Sequence, residues 1–124
     1  MKPAFSIAEA YYNQGNYQNA FEKYKGVIIL SHEIHGPINK ISAICHRRLA
    51  TISFFEKDVE NAILLIEKAI IIYEKLTEFD TPTIANCYSE LATYYISSLD
   101  FLKAFKCMIK SWEITMAIFP RNVS

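Results

Sequence analysis

The sequence predicts an all-α protein, a right-handed α-solenoid built from three helix hairpins and therefore from six antiparallel helices. Three observations indicate this fold. Alanine recurs every 42 positions without a gap, at Ala20, Ala62 and Ala104. The 124 residues include only three glycines and four prolines, which favours a few long helices over many strands and turns. Finally, 52% of the residues are hydrophobic and 21% are charged, which is enough apolar material for a packed core.

The repeat is clearest where two helices of one unit must approach each other. A second set of alanines, Ala8, Ala50 and Ala92, has the same period on the first helix of each unit. Small side chains at both sets of positions allow close helix packing. A large apolar residue opens each second helix, and it follows an Asn or Asp whose side chain can accept free backbone N–H groups. These dipeptides are Asn16-Tyr17, Asp58-Val59 and Asp100-Phe101.

We expect one array without a separate second domain. Its predicted units are residues 1–36, 37–78 and 79–120, and its predicted helices are residues 3–14, 17–34, 38–55, 59–77, 82–97 and 101–118. Pro37 and Pro82 lie near the starts of first helices, where a missing N–H costs little. The first unit has Gly15 in its internal turn, whereas the later units have Lys57 and Leu99.

Composition narrows the location and the general class of partner. A formal net charge of +0 gives no global attraction to nucleic acid or to anionic membranes. No uninterrupted apolar run near the start resembles a secretory signal, and the most apolar stretch, residues 62–73, is too short to span a bilayer. Three widely spaced cysteines suit a reduced protein with buried thiols. We therefore expect a cytoplasmic protein.

The spacings of the first unit resemble those of the tetratricopeptide (TPR) repeat family, at Ile7-Ala8, Tyr11, Gly15, Tyr17, Ala20 and Tyr24. The common TPR period is about 34 residues, so a period of 42 implies longer helices here. The resemblance implies a curved array whose first helices line a concave groove for a linear peptide or a partner helix. An ordinary solvated face is the alternative. The candidate groove residues are Phe5, Glu9, Tyr12, Arg47, Thr51, Phe54, Asn86, Ser89 and Thr93.

Other candidate sites are weaker. The cluster His46-Arg47-Arg48 could meet phosphate, but on a helix these side chains point in different directions, so direct contact with nucleic acid is not favoured. His32 and His35 have too few neighbouring ligands in the sequence for zinc. Because no phosphate loop or nucleophile motif is found, we expect a non-catalytic protein without cofactor or metal.

The last helix carries more apolar residues than one face needs. Trp112, Met116 and Phe119 are among them, so we expect either that the chain continues in a longer protein or that this end is a docking surface. Self-association through the last helix is one form that docking could take.

Within the TPR proteins, the 42-residue period resembles two families, the clustered-mitochondria (Clu) family and, as second choice, kinesin light chain. The segments that resemble the C-terminal array of Clu are residues 43–50, 61–69, 82–84 and 88–95. The Gly-x-x-His-Pro turn of both families reads here Glu78-Phe79-Asp80-Thr81-Pro82, without the Gly and His. The Clu resemblance implies a scaffold associated with ribosomes, initiation factor three and mitochondria. The kinesin light chain resemblance implies a peptide-binding adaptor, and a third alternative is an accessory protein that contacts RNA.

Overall fold

The computed structural model describes residues 3–76 and 81–118, and all the regular elements in these ranges are α-helices. They are α1 (Ala4–Asn13), α2 (Tyr17–His35), α3 (Lys40–Phe55), α4 (Val59–Lys75), α5 (Thr81–Ser97) and α6 (Phe101–Ile118). Each helix packs against the next along the chain, so that α1 and α2, α3 and α4, and α5 and α6 form three hairpins. The predicted α-solenoid of three helix hairpins is confirmed.

The helix ends lie within two residues of the predicted positions, and the differences have local causes. Helix α3 begins at Lys40, two residues later than predicted, because the Asn39 side chain caps it and accepts the Ser42 N–H at 2.7 Å. Helix α4 ends at Lys75 because Leu76 has an extended backbone, with ψ of 142°. Residue 77, the predicted last residue of this helix, lies outside the described residues.

Two of the three predicted caps of the second helices are present. Asp58 accepts the Asn61 N–H at 3.4 Å, and Asp100 accepts the Lys103 N–H at 3.3 Å. The prediction that Asn16 caps α2 is wrong, because its side chain makes no capping hydrogen bond. The Asn16 backbone closes the turn instead, with its N–H donating to the Tyr11 carbonyl at 2.9 Å.

The turns inside the three hairpins share one backbone conformation. Gly15 has φ of 77°, and the residues at the equivalent positions, Lys57 and Leu99, have φ of 66° and 65°. Glycine adopts this left-handed region freely, whereas other L-residues adopt it at a cost. The turn geometry is thus kept in the second and third units without the glycine.

The core follows the repeat. All six repeat alanines are buried, with at most 2% of their surface exposed, namely Ala8, Ala20, Ala50, Ala62, Ala92 and Ala104. Their small side chains allow the helices of each hairpin to pack closely, as predicted. Cys45 and Cys87 are also fully buried. Burial raises the pKa of the Cys45 thiol to about 12, so this thiol is protonated at neutral pH.

Candidate functional site

The exposed side of α1, α3 and α5, which we call the first-helix face, is crossed by two ion pairs. Arg48 on α3 donates from Nε to Glu9 Oε1 on α1 at 3.0 Å. Arg47 on α3 holds Glu90 on α5 through both Nε and Nη2, with the shortest contact at 2.6 Å. The two pairs connect the first helices of all three units. They also neutralise Glu9 and Arg47, which were predicted to face a groove.

The pKa shifts agree with this neutralisation. Burial alone would raise the pKa of Glu9, but hydrogen bonds from Arg48 and Tyr24 outweigh it and lower that pKa. The hydrogen bond to Glu90 raises the pKa of Arg47 further above its usual value. Both groups are therefore charged at neutral pH.

Three aromatic candidates on this face are half-buried and pack between helices. Phe5 and Tyr12 of α1 each lie 6.4 Å, between ring centroids, from the buried Tyr24 ring on α2. The Arg48 guanidinium lies 4.9 Å from the centre of the Tyr12 ring. Phe54 on α3 lies 4.7 Å from Tyr94 on α5. Part of each ring is accessible, and the rest joins neighbouring helices.

The third unit supplies the polar part of the same face. Asn86, Ser89 and Thr93 follow one another along the exposed side of α5. Ser89 lies 2.9 Å from the Ser111 hydroxyl on α6, and Thr93 donates to the Ser89 carbonyl at 3.1 Å. Thr51, one unit earlier, donates in the same way to the Arg47 carbonyl. Asn86 presents an exposed amide that can both donate and accept hydrogen bonds.

The structure places the predicted groove residues on α1, α3 and α5, and it changes the chemistry expected there. The face offers half-exposed aromatic rings, hydroxyls and an amide, while its charges pair with one another. Such a surface can hold an uncharged, extended peptide through apolar contacts and backbone hydrogen bonds. The face is less suited to bind a charged ligand, because Glu9 and Arg47 already have ion-pair partners.

The predicted basic cluster is divided among three environments. Arg47 and Arg48 turn to Glu90 and Glu9, whereas His46 is buried, with 6% of its surface exposed. The His46 Nδ1 atom lies 2.7 Å from the Ser42 carbonyl. Burial lowers the pKa of His46, and the Lys68 charge lowers it further. These three residues do not form a shared phosphate site.

The two candidate metal ligands, His32 and His35, lie in the last turn of α2. The Nε2 atom of His32 lies 3.1 Å from the Ser42 hydroxyl, so the His32 ring lies beside the capped start of α3. Among residues 3–76 and 81–118, no group of three or more His, Cys, Asp or Glu side chains could hold a metal ion. In the same part of the chain, no helix is long and apolar enough to cross a membrane.

A cleft on the opposite side was not foreseen. It has a volume of about 540 Å³ and lies between the second helices α2 and α4, with α3 beneath. Its walls are mainly apolar, and Lys25 and Lys68 stand beside them. The apolar lining residues are Phe21, Ile28, Ile29, Leu49, Leu64 and Leu65. The sequence signal for this cleft was the presence of Ile29 and Leu64 at positions where the repeat needs no core residue. Both side chains are exposed.

The predicted docking end is exposed where the structure describes it. Trp112 is 63% exposed and Met116 is 46% exposed, both on α6. The third candidate residue, Phe119, lies outside the described residues.

Searches for related sequences found Clu proteins, as the resemblance predicted, although no family model matches the chain. A clustered mitochondria protein homolog from Aedes aegypti is 21% identical over 118 residues, which is 95% of this chain and 8% of that protein. Protein clueless from Drosophila persimilis is 23% identical over 90 residues, 73% of this chain and 6% of that protein. The chain thus spans less than a tenth of the length of these relatives.

Solved structures show the same fold. BtubC (BKLC) from P. vanneervenii superposes with a TM-score of 0.86 at 20% identity, covering 98% of this chain and 50% of that one. A Podosopora anserina protein described as a kinesin light chain with nearly identical TPR-like repeats gives 0.73 at 17% identity, covering 96% and 56%. The N-terminal domain of stress-induced protein-1 from C. elegans gives 0.72 at 21% identity, covering 92% and 88%. The chain is a TPR-like helical array, similar in sequence to Clu proteins and in fold to kinesin light chain repeats.

Proposed function

We propose that this chain is a non-catalytic scaffold that binds a linear segment of another protein along the first-helix face. The observation that carries the proposal is the chemistry of that face. Phe54 is half-exposed, and its ring lies 4.7 Å from Tyr94 on α5, the helix that carries the exposed Asn86, Ser89 and Thr93. The charges of Arg47 and Glu90 are paired with each other. A partner segment with apolar side chains and accessible backbone amides fits this surface better than a charged one.

The likeness to Clu proteins supports a more specific proposal. We infer that the bound protein belongs to the translation machinery or to the mitochondrial surface, with ribosomal or initiation-factor components as the first candidates. A peptide adaptor of the kinesin light chain type is the second candidate, and the superposition with the Podosopora anserina protein supports it. Direct RNA contact is less favoured, because both Arg47 and Arg48 are held by carboxylates.

Affinity capture tests this proposal in a lysate of the cells that express the protein. The tagged wild-type chain is compared with the variant Asn86→Arg/Thr93→Arg, which places two bulky charges on the first-helix face. Gln18→Arg/Asn19→Arg is the matched control, because these exposed residues lie on α2, away from that face. Each capture is done with and without nuclease and read by mass spectrometry.

We expect wild type and control to enrich the same proteins, ribosomal or initiation-factor components among them, in a nuclease-resistant way. The Asn86→Arg/Thr93→Arg variant should lose them. Enrichment of motor proteins with the same dependence on the face would favour the adaptor. If the variant captures the same proteins as wild type, the first-helix face is not the binding surface.

A further inference from the structure

Helix α6 has two apolar faces, and only one of them is covered. Towards α5 it buries Ala104 and Ser111 and half-buries Cys107 and Ile114. On another side, seven large apolar residues are between 41% and 66% exposed. They are Phe101, Leu102, Phe105, Met108, Ile109, Trp112 and Met116. We call this set the open α6 face.

The repeat shows how such a face is used elsewhere in the molecule. Met108 and Trp112 are one period after Ile66 and Ile70 of α4, which are 0% and 4% exposed in the core shared with α5. Tyr24 of α2, one period before Ile66, is also fully buried. The same positions are therefore helix-packing positions in both earlier units, and on α6 they lie open.

The open α6 face is also wider than the repeat requires. Three of its positions are polar or charged in both earlier units and apolar only on α6. The equivalent sets are Gln18, Glu60 and Leu102; Lys25, Glu67 and Ile109; and His32, Glu74 and Met116. This change adds apolar surface at the rim, which a hairpin packed as in the earlier units does not need. It indicates a contact centred on α6 itself.

We propose that the open α6 face binds the α6 of a second copy of this chain, in antiparallel orientation. Leu102, Phe105, Ile109, Trp112 and Met116 are spaced alternately by three and four residues, which is the spacing of a helix–helix seam. Leu102, Ile109 and Met116 occupy one kind of seam position, and Phe105 and Trp112 occupy the other. In an antiparallel pair, residues of one kind pack against residues of the other kind on the second copy. Ile109 then packs against Trp112 of the second copy, Phe105 packs against Met116, and the twofold axis doubles each contact.

Charge complementarity selects the antiparallel orientation. Lys106 and Glu113 are exposed, occupy equivalent positions on one rim of the seam and make no ion pair with any residue in 3–76 or 81–118. In an antiparallel pair, Lys106 of each copy lies opposite Glu113 of the other. A parallel pair would instead place Lys106 beside Phe101 and Glu113 beside Met108, which sets charges against apolar surface.

The area is sufficient for a stable dimer. Large aromatic side chains bury about 150–250 Å² each when fully covered, so seven half-exposed apolar residues can bury roughly 600 Å² per copy. Counted on both copies, this reaches the lower end of the range of specific interfaces, about 1,200–2,000 Å². The net charge of +0 adds no overall repulsion between copies.

The test is the mass of the purified chain in solution, measured by sedimentation equilibrium over about 1–100 µM, a range that yields the dissociation constant of a dimer of micromolar affinity. We expect twice the 14.3 kDa chain mass for wild type. Ile109→Glu should weaken the dimer at least about tenfold, which corresponds to about 1.4 kcal/mol. Leu64→Glu is the control, since Leu64 is 63% exposed on α4, and it should stay dimeric. Circular dichroism of both variants checks that they fold.

A charge exchange tests the orientation. Lys106→Glu and Glu113→Lys should each weaken the dimer, because like charges then meet, and the double variant should restore it. A wild-type chain that is monomeric overturns the proposal, as does a dimer that Ile109→Glu leaves intact. Failure of the double variant to recover would overturn the antiparallel register. None of these residues lies on the first-helix face, so failure of the proposed dimer would not contradict the proposed peptide binding.

Discussion

At the scale of single residues, the turns inside the hairpins carry a local cost. Lys57 and Leu99 adopt the left-handed backbone that Gly15 adopts in the first unit. For a residue with a Cβ atom this conformation costs about 1–2 kcal/mol. Glycine avoids this cost but loses more entropy on folding, so the net advantage of glycine is smaller. The turn persists because buried residues on both sides fix the two helices. The loss of the repeat glycine therefore affects stability and leaves the shape unchanged.

We predict that Lys57→Gly and Leu99→Gly each stabilise the fold by roughly 1 kcal/mol, since both positions are exposed and only the backbone cost is removed. Urea denaturation followed by circular dichroism measures this change. Gly15→Ala is the reciprocal control and should destabilise the fold. A decrease in stability for both glycine variants would contradict the assigned backbone cost.

His46 is a second residue whose environment lowers the stability of the fold, in this case at low pH. It lies buried beside the capped start of α3, and burial lowers its pKa below the usual value. The unfolded chain therefore binds a proton more readily than the folded chain, and stability falls as the pH drops through the unfolded pKa of about 6.5. At higher pH the imidazole is neutral in both states and no difference remains.

We predict that His46→Gln reduces the loss of stability between pH 7 and pH 5, because it removes one group that the folded state protonates poorly. The measurement is the urea midpoint of both proteins across this pH range. His35→Gln is the control, since His35 is exposed at the end of α2. Equal pH dependence of wild type and His46→Gln would show that His46 does not contribute.

At the scale of helices, ion pairs connect elements that the hydrophobic repeat alone would leave less firmly joined. Arg47 bridges α3 to α5, and Arg48 bridges α3 to α1. The side chains of these pairs are between 22% and 33% exposed, so water weakens the attraction without removing it. The pairs fix the spacing of first helices, on which the shape of the proposed binding face depends.

We predict a coupling energy of about 1 kcal/mol between Arg47 and Glu90, at the upper end for partly exposed pairs because the contact is bidentate. A double-mutant cycle with Arg47→Met and Glu90→Gln, read by urea denaturation, measures it. The exposed pair Lys25–Glu22, at 3.4 Å within α2, should give a smaller value in the same experiment. Strictly additive effects of Arg47→Met and Glu90→Gln would contradict the bridging role.

The sequence was sufficient to predict the helices but not the ion pairs between them. The repeat alanines and the Asp caps are local signals at fixed spacing, so they predicted the hairpins and the helix ends closely. Arg47 and Glu90 are far apart in the chain, and their pairing depends on how α3 turns against α5. Glu90 was not identified as a site residue for that reason, and Arg47 was predicted only as a groove residue, without its partner.

At the scale of the whole molecule, three hairpins present three different surfaces. The first-helix face is polar and aromatic with paired charges, the opposite side has an apolar cleft between α2 and α4, and α6 presents a further apolar face. The proposed dimer would leave the first-helix face of both copies free. Two copies could then bind two segments of one partner and gain affinity through effective concentration.

Calorimetric titration with a linear peptide, selected by display against the wild-type chain, measures binding at the first-helix face. We expect micromolar affinity for wild type and for Gln18→Arg/Asn19→Arg, with at least a tenfold loss for Asn86→Arg/Thr93→Arg, because the added charges occupy the polar row on α5. Phe54→Ala should weaken binding as well. Equal affinity of wild type and Asn86→Arg/Thr93→Arg for the selected peptide would contradict the claim that this face is the binding site.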